Sequence, residues 1–305
     1  MKNYILPLLV TATLFCVCAQ VYDPYAADIT ANPDRAITGY TDAIRWNPNN
    51  SEYYFKRGMA YERKKEYESA IADYNEAIRL YPKKALYYFA RSNIYLTITN
   101  DYDRAIEDYS EAIRLNPNYA DAYNNRGAVY MFKGDSDQAI VDFNEAIRLN
   151  PNSAAAYNSR CAAYNKKGDS DQAIADCNEA IRLNPDFAMV YNNRCIAYYH
   201  KGDYDRAISD CNEAIRLDPD YAEAYNNRCI AYSDKDDYDR AISDCNEAIR
   251  LNPNSSGPYN SRGVAYSKKK EYDKAIVDFE SALRINPNHK KANENLEAAK
   301  RGSQI

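Results

Sequence analysis

The sequence predicts an all-α fold, a solenoid of antiparallel helical hairpins, and three observations lead there. Prolines recur at 48, 82, 117, 151, 185, 219, 253 and 287, spaced by 34 residues except for one interval of 35. A fixed period of that size marks a stacked repeat array. Each unit carries two apolar stripes at helical spacing: in the fifth, Tyr191, Cys195 and Tyr198 stand at i, i+4 and i+7, and Ala207, Ile208, Cys211, Ala214 and Ile215 at i, i+1, i+4, i+7 and i+8. Glycine is scarce, 9 residues, and tyrosine abundant, 31, which suits helices joined through rings better than a phosphate-cradling enzyme.

Residues 1–19 read as a secretory signal peptide. Lys2 precedes an apolar run from Tyr4 to Val17, and Val17-Cys18-Ala19 is a small-residue cleavage pattern before Gln20. The run falls short of the roughly 20 residues a membrane-spanning helix needs. The expectation is export to the periplasm or the outside of the cell, with no membrane insertion after cleavage; the alternative is an uncleaved N-terminal anchor. Phe15 and Val17, directly before Cys16 and Cys18, speak against a lipidated cysteine. Cleavage leaves six cysteines in a compartment where disulfides are allowed.

Residues 20–31 form a linker, and 32–47 a capping half repeat in which Asn32-Pro33-Asp34 opens a helix through Ala36, Tyr40, Ala43 and Ile44 to Trp46. The repeats follow at 51–84, 85–119, 120–153, 154–187, 188–221, 222–255 and 256–289, and a polar closing helix occupies 290–301. Between the helices of a unit a stretch such as Lys201-Gly202-Asp203 turns the chain, with glycine for a left-handed backbone and aspartate to cap the next helix. The residue before each proline is pushed out of the helical region and ends the second helix. The extra residue of the second unit falls in Thr97-Ile98-Thr99-Asn100, which reads as a turn.

Counting from the third residue after each proline, tyrosine fills position 4 (Tyr54, Tyr88, Tyr123, Tyr157, Tyr191, Tyr225, Tyr259) and position 11, and alanine positions 20 and 27. Large rings beside small alanines let helices approach closely. One hairpin cannot bury such faces alone, whereas stacked neighbours can. An aromatic at 4, a small residue at 8, tyrosine at 11, alanine at 20, an aromatic at 24, alanine at 27 and proline at 32 resemble the tetratricopeptide repeat, over about residues 32 to 301. The resemblance implies a right-handed α-α superhelix of an exported, bacterial-type protein with seven tandem repeats. One departure stands out: the family's common leucine at position 7 is arginine in every unit, from Arg57 to Arg262, and position 23 is always aspartate, from Asp73 to Asp278. This predicts an Arg–Asp ladder inside the stack.

No catalytic constellation accompanies the repeats. His200 and His289 stand alone, no glycine-rich phosphate loop exists, and no cofactor is implied. The cysteines lack the close pairing of metal sites. A net charge of −5 with interspersed signs argues against nucleic acid as a partner. Positions 5 and 6 carry Asn124 and Asn125, Asn158, Asn192 and Asn193, Asn226 and Asn227, and Asn260. The resemblance places these on the concave groove, where amides can pair with a peptide backbone without reading its side chains. The plain alternative is that asparagine is merely tolerated there. The family's carboxylate clamp fits poorly, because Phe89 holds the place of its lysine beside Asn93.

Where position 8 is cysteine, position 24 is cysteine too: Cys161 with Cys177, Cys195 with Cys211, Cys229 with Cys245. Where position 8 is Gly58, Ser92, Gly127 or Gly263, position 24 is Tyr74, Tyr109, Phe143 or Phe279. The rule predicts contact between the two helices of one repeat. It leaves open whether the cysteines form disulfides or are free thiols exchanged for equivalent volume. The resulting expectation is a non-enzymatic scaffold that holds extended segments of a protein partner in its groove, with self-association possible. The alternatives are an envelope assembly component working through repeat edges and caps, or glycan binding.

Overall fold

The computed structural model describes residues 25–302. The segment expected to be a signal peptide, with Cys16 and Cys18, lies outside the described residues. The chain divides into two compact units, Met1–Pro151 and Asn152–Ile305.

Among the described residues the secondary structure is helical without strands. In the first unit Asp28–Ala31 and Pro33–Trp46 precede the hairpins Ser51–Arg63 with Tyr67–Leu80, Ala85–Ile94 with Tyr102–Leu115, and Ala120–Lys133 with Ser136–Leu149. In the second unit Ala154–Lys167 pairs with Ser170–Leu183, Ala188–His200 with Tyr204–Leu217, Ala222–Asp234 with Tyr238–Leu251, and Ser256–Lys268 with Tyr272–Ile285, and Lys290–Gly302 closes the series. Each first helix of the second unit rests on its own second helix and on the first helix of the next repeat.

Local chemistry explains the boundaries. Asp101, Asp135, Asp169, Asp203 and Asp237 each accept a hydrogen bond from the backbone N–H three residues on and so cap their second helices. Between the helices the chain needs one left-handed residue, and Gly134, Gly168 and Gly202 supply it at φ of 91°, 82° and 76°. The alanines at positions 20 and 27 are completely or almost completely buried, so even one added methylene has nowhere to go. On the outside, Lys133, Lys201, Lys235 and Lys269 reach back to Asp103, Asp171, Asp205 and Asp239 at the start of the preceding second helix. These exposed pairs fix register more than they stabilise.

The extra residue of the second repeat departs from the sequence expectation. It is absorbed inside the first helix, where Tyr95–Thr99 widens into a π turn that closes on Asn100 at φ 52°. A π turn takes up one residue without breaking the backbone hydrogen-bond ladder, so Tyr95 and Leu96 stay buried.

One half-buried carboxylate carries a testable cost. Glu62 accepts a hydrogen bond from the Tyr74 hydroxyl at 2.8 Å, yet burial pushes its carboxyl up from the ordinary value, a push only partly offset by that bond. A carboxyl raised in the folded state is neutral in both states below its unfolded pKa. As pH rises from there through the folded value, charging it penalises the fold. Glu62→Gln, which keeps an acceptor for Tyr74, is expected to match the parent in urea melts at low pH and to exceed it at neutral pH.

Candidate functional site

Seven arginine–aspartate pairs run through the repeats. In each, Arg Nε and Nη2 donate to the two carboxylate oxygens of the aspartate sixteen residues on, seventeen for Arg91–Asp108 in the repeat with the extra residue, at 2.6–2.8 Å, from Arg57–Asp73 to Arg262–Asp278. This is the bidentate geometry that suits guanidinium. The remaining nitrogen does something the sequence did not suggest. Arg57, Arg91 and Arg126 in the first unit, and Arg194, Arg228 and Arg262 in the second, direct Nη1 to Thr41, Asn75, Ser110, Asn178, Asn212 and Asn246 at 2.5–3.1 Å. Those acceptors lie on the preceding second helix, so one side chain ties three helices. The position-4 tyrosines lie against the same arginines, with guanidinium carbons 5.4–5.9 Å from the ring centroids.

The position 8 and 24 rule is a contact between the helices of one repeat. A Cβ added at Gly58, Gly127 or Gly263 would lie 2.6–2.7 Å from the ring of Tyr74, Phe143 or Phe279. Where both residues are cysteines, Cys161–Cys177, Cys195–Cys211 and Cys229–Cys245 have Cα atoms 5.6–5.7 Å apart. That lies inside the roughly 4.4–6.8 Å a disulfide spans, and all six side chains are fully buried.

The asparagines form a second ladder, along the first helices. Asn193 donates to Asn158 Oδ1 at 2.8 Å, Asn227 to Asn192 Oδ1 at 2.8 Å, and Asn295 of the closing helix to Asn260 Oδ1 at 3.0 Å. In the fifth and sixth repeats, position 6 thus serves position 5 of the repeat before, and Asn295 of the closing helix does the same for the seventh. Asn192 also donates to the Tyr221 hydroxyl at 3.3 Å. In the first unit Asn124 donates to Asn125 Oδ1 at 3.3 Å, and Asn125 to Asn93 Oδ1 at 3.2 Å, which also receives the Tyr109 hydroxyl at 2.6 Å. Where position 6 is Ser261, the shorter side chain does not reach, and Asn226 Oδ1 has no partner.

Models of the tetratricopeptide repeat match residues 51–84, 120–153, 154–187, 188–221, 222–255 and 258–289, and a second description, TPR repeat, matches 96–134. The chain belongs to the tetratricopeptide repeat family. Solved tetratricopeptide folds share its architecture. Over 89% of this chain the APC/C Cut9–Hcn1 structure is 21% identical with a TM-score of 0.70, and the match spans 53% of that chain, about half its length. A tetratricopeptide repeat protein from Parabacteroides merdae is 20% identical over 82% of this chain and 99% of its own, with a TM-score of 0.69. Yeast Tom70 is 19% identical over 90% of this chain and 59% of its own, with a TM-score of 0.58. Among curated proteins none matches the sequence. At these identities the likeness is one of fold.

For a tetratricopeptide repeat protein the informative residues are those the stack does not satisfy. Among the described residues, the buried side-chain atoms without a hydrogen-bond partner are Asn124 Oδ1, Asn165 Oδ1, Asn226 Oδ1, Ser233 Oγ and Ser267 Oγ. Every one belongs to position 5 or 12 of a first helix. Asn165, Ser233 and Ser267 escape a sequence reading centred on paired asparagines, although their common position 12 could have flagged them. No group of three potential metal ligands exists among the described residues, and no described helix is long and apolar enough to cross a membrane.

Proposed function

We propose that this tetratricopeptide repeat protein is a non-enzymatic interaction scaffold that holds extended protein segments along its first helices, outside the cytoplasm. One observation carries the reading: the unsatisfied buried polar atoms gather at positions 5 and 12 of those helices. A buried polar atom without a partner costs about 1–3 kcal/mol, so native chains keep few of them. Their alignment on one helix face supports a surface whose hydrogen bonding is completed by a ligand. Ala162, Ile196, Ile230 and Val264 lie half-buried at position 9 of the same helices, apolar ground beside the amides. Export accords with three buried cysteine pairs at disulfide spacing, which an oxidising compartment would bond.

Asn226→Leu separates this role from a structural one. A purely structural amide would stabilise the chain, and its removal would lower the urea midpoint. On the present reading the midpoint holds or rises, because an unpaired acceptor is removed. Meanwhile adducts captured in the cell by a photo-crosslinker at Ile230 are lost. A lowered midpoint with unchanged adducts would overturn it.

A further inference from the structure

We propose that segments held along the first helices carry basic side chains, lysine or arginine, and that Asp121 within the first unit and Glu223 within the second each form a separate subsite for one such cationic head. The inference rests on the reading just given and names the chemistry of the ligand. Many carboxylates in this chain are committed: to arginine at position 23, to lysine on the outer turns, and to arginine one turn on along the second helices. Position 2 of the first helix is acidic in three repeats. In the first of these Glu52 receives Lys84 Nζ at 3.2 Å and the Tyr87 hydroxyl at 3.0 Å. Asp121 and Glu223 have neither a hydrogen bond nor an ion pair.

A second observation falls on the same turns. Asn124 and Asn226 lie three residues after Asp121 and Glu223, on the same helix face, and their carbonyls are the two position-5 acceptors that nothing satisfies. Where position 2 is Ala155, Met189 or Gly257, the position-5 carbonyls of Asn158 and Asn192 accept from the next repeat's amide and that of Asn260 from Asn295 of the closing helix. Among the repeats with asparagine at position 5, the two with an acid at position 2, Asp121 and Glu223, are the two whose position-5 carbonyl is unfilled, while the third acid, Glu52, precedes Phe55.

Direction matters in the first unit. Asn124 donates to Asn125, Asn125 to Asn93, and Tyr109 to Asn93 as well, so the donors run inward and the open end of the chain is an acceptor. A carboxylate beside an unfilled acceptor calls for a ligand that donates and is positive. Tyr119 adds an aromatic wall beside Asp121, its ring 4.7 Å from that of Phe89. Burial without a neighbouring cation also pushes the Asp121 carboxyl up.

The test uses the full chain and fluorescein-labelled random peptide libraries in matched versions, their variable charged positions fixed as lysine, as norleucine or as glutamate. By fluorescence anisotropy at low salt the lysine library is expected to bind roughly threefold more tightly than the norleucine library, each subsite acting by itself, and to lose that margin at high salt. Asp121→Asn combined with Glu223→Gln should erase the margin. Glu68→Gln combined with Asp273→Asn, the same charge change on exposed second-helix positions, should leave it. Equal binding of lysine and norleucine libraries would overturn the basic-ligand inference while leaving the groove intact. So would a margin that survives Asp121→Asn/Glu223→Gln, or one that falls equally in both variants. No binding of any library would remove the groove reading and this inference with it.

Discussion

Asp210→Ala is expected to destabilise the chain by about 3 kcal/mol, a far larger loss than most single surface changes cause. The carboxylate is 9% exposed and Arg194 19%, so removing the aspartate leaves a largely buried guanidinium with two N–H groups facing no acceptor. Burial pushes the Asp210 carboxyl up, against the pull of Arg194, so desolvation opposes the pairing. Removing both charges is therefore expected to cost much less than removing one. Arg194→Leu with Asp210→Ala, leucine being the family's common residue at position 7, should recover about half of the loss. It should not recover all of it, because Arg194 also donates to Asn178 of the preceding repeat at 2.6 Å and lies 5.6 Å from the Tyr191 centroid. Urea midpoints of the two single variants and the double variant measure this directly. If the single losses simply add, the pair carries no coupling and the ladder is incidental.

How far the sequence reached can be judged residue by residue. The Arg–Asp ladder was legible because both partners are locked to one repeat position, and a sixteen-residue separation across a hairpin admits one geometry. The third arginine bond was not, since its acceptor varies among Thr41, Asn75 and Ser110 and only the class of hydroxyl or amide recurs. The π turn at Tyr95–Thr99 was hidden for a related reason. An inserted residue can be taken up in a loop or in a widened helical turn, and composition near Thr97 does not decide between them.

The repeat pattern puts the asparagines on the first helices but does not reveal the bonds they make to one another. Asn193 meets Asn158 from thirty-five residues away, one residue more than the repeat length. A search at the repeat period alone compares position 5 with position 5 and overlooks the offset pair. Once the offset is known, the sequence does say where the ladder is interrupted: Ser261 follows Asn226 at that spacing, and Asn226 keeps an unfilled carbonyl. The pairing also changes what substitution tests mean, because alanine at Asn192 or Asn227 removes a link between repeats as well as a possible ligand contact. Asn226, whose carbonyl supports nothing in the fold, is the cleaner probe.

The exchange of residues between positions 8 and 24 yields the second large effect. Cys211→Phe alone is expected to destabilise by about 1–3 kcal/mol or more, since the ring must enter space already occupied by the fully buried Cys195. In three other repeats the partner of a ring is glycine, and a Cβ there would stand 2.6–2.7 Å from it. Cys195→Gly alone should also destabilise, by removing a buried side chain and by placing glycine inside a helix. Combined, the two substitutions rebuild the Gly127–Phe143 arrangement in the fifth repeat, and the double variant should be more stable than Cys211→Phe. Comparison with and without reductant separates volume from bonding. If the cysteine pair is bonded, the oxidised parent exceeds the double variant by up to about 3 kcal/mol, and reduction brings the two together. If the pair is free, reductant changes neither. A double variant no better than Cys211→Phe under reduction would mean that positions 8 and 24 do not share one space, contrary to the contact seen in every repeat where glycine faces a ring.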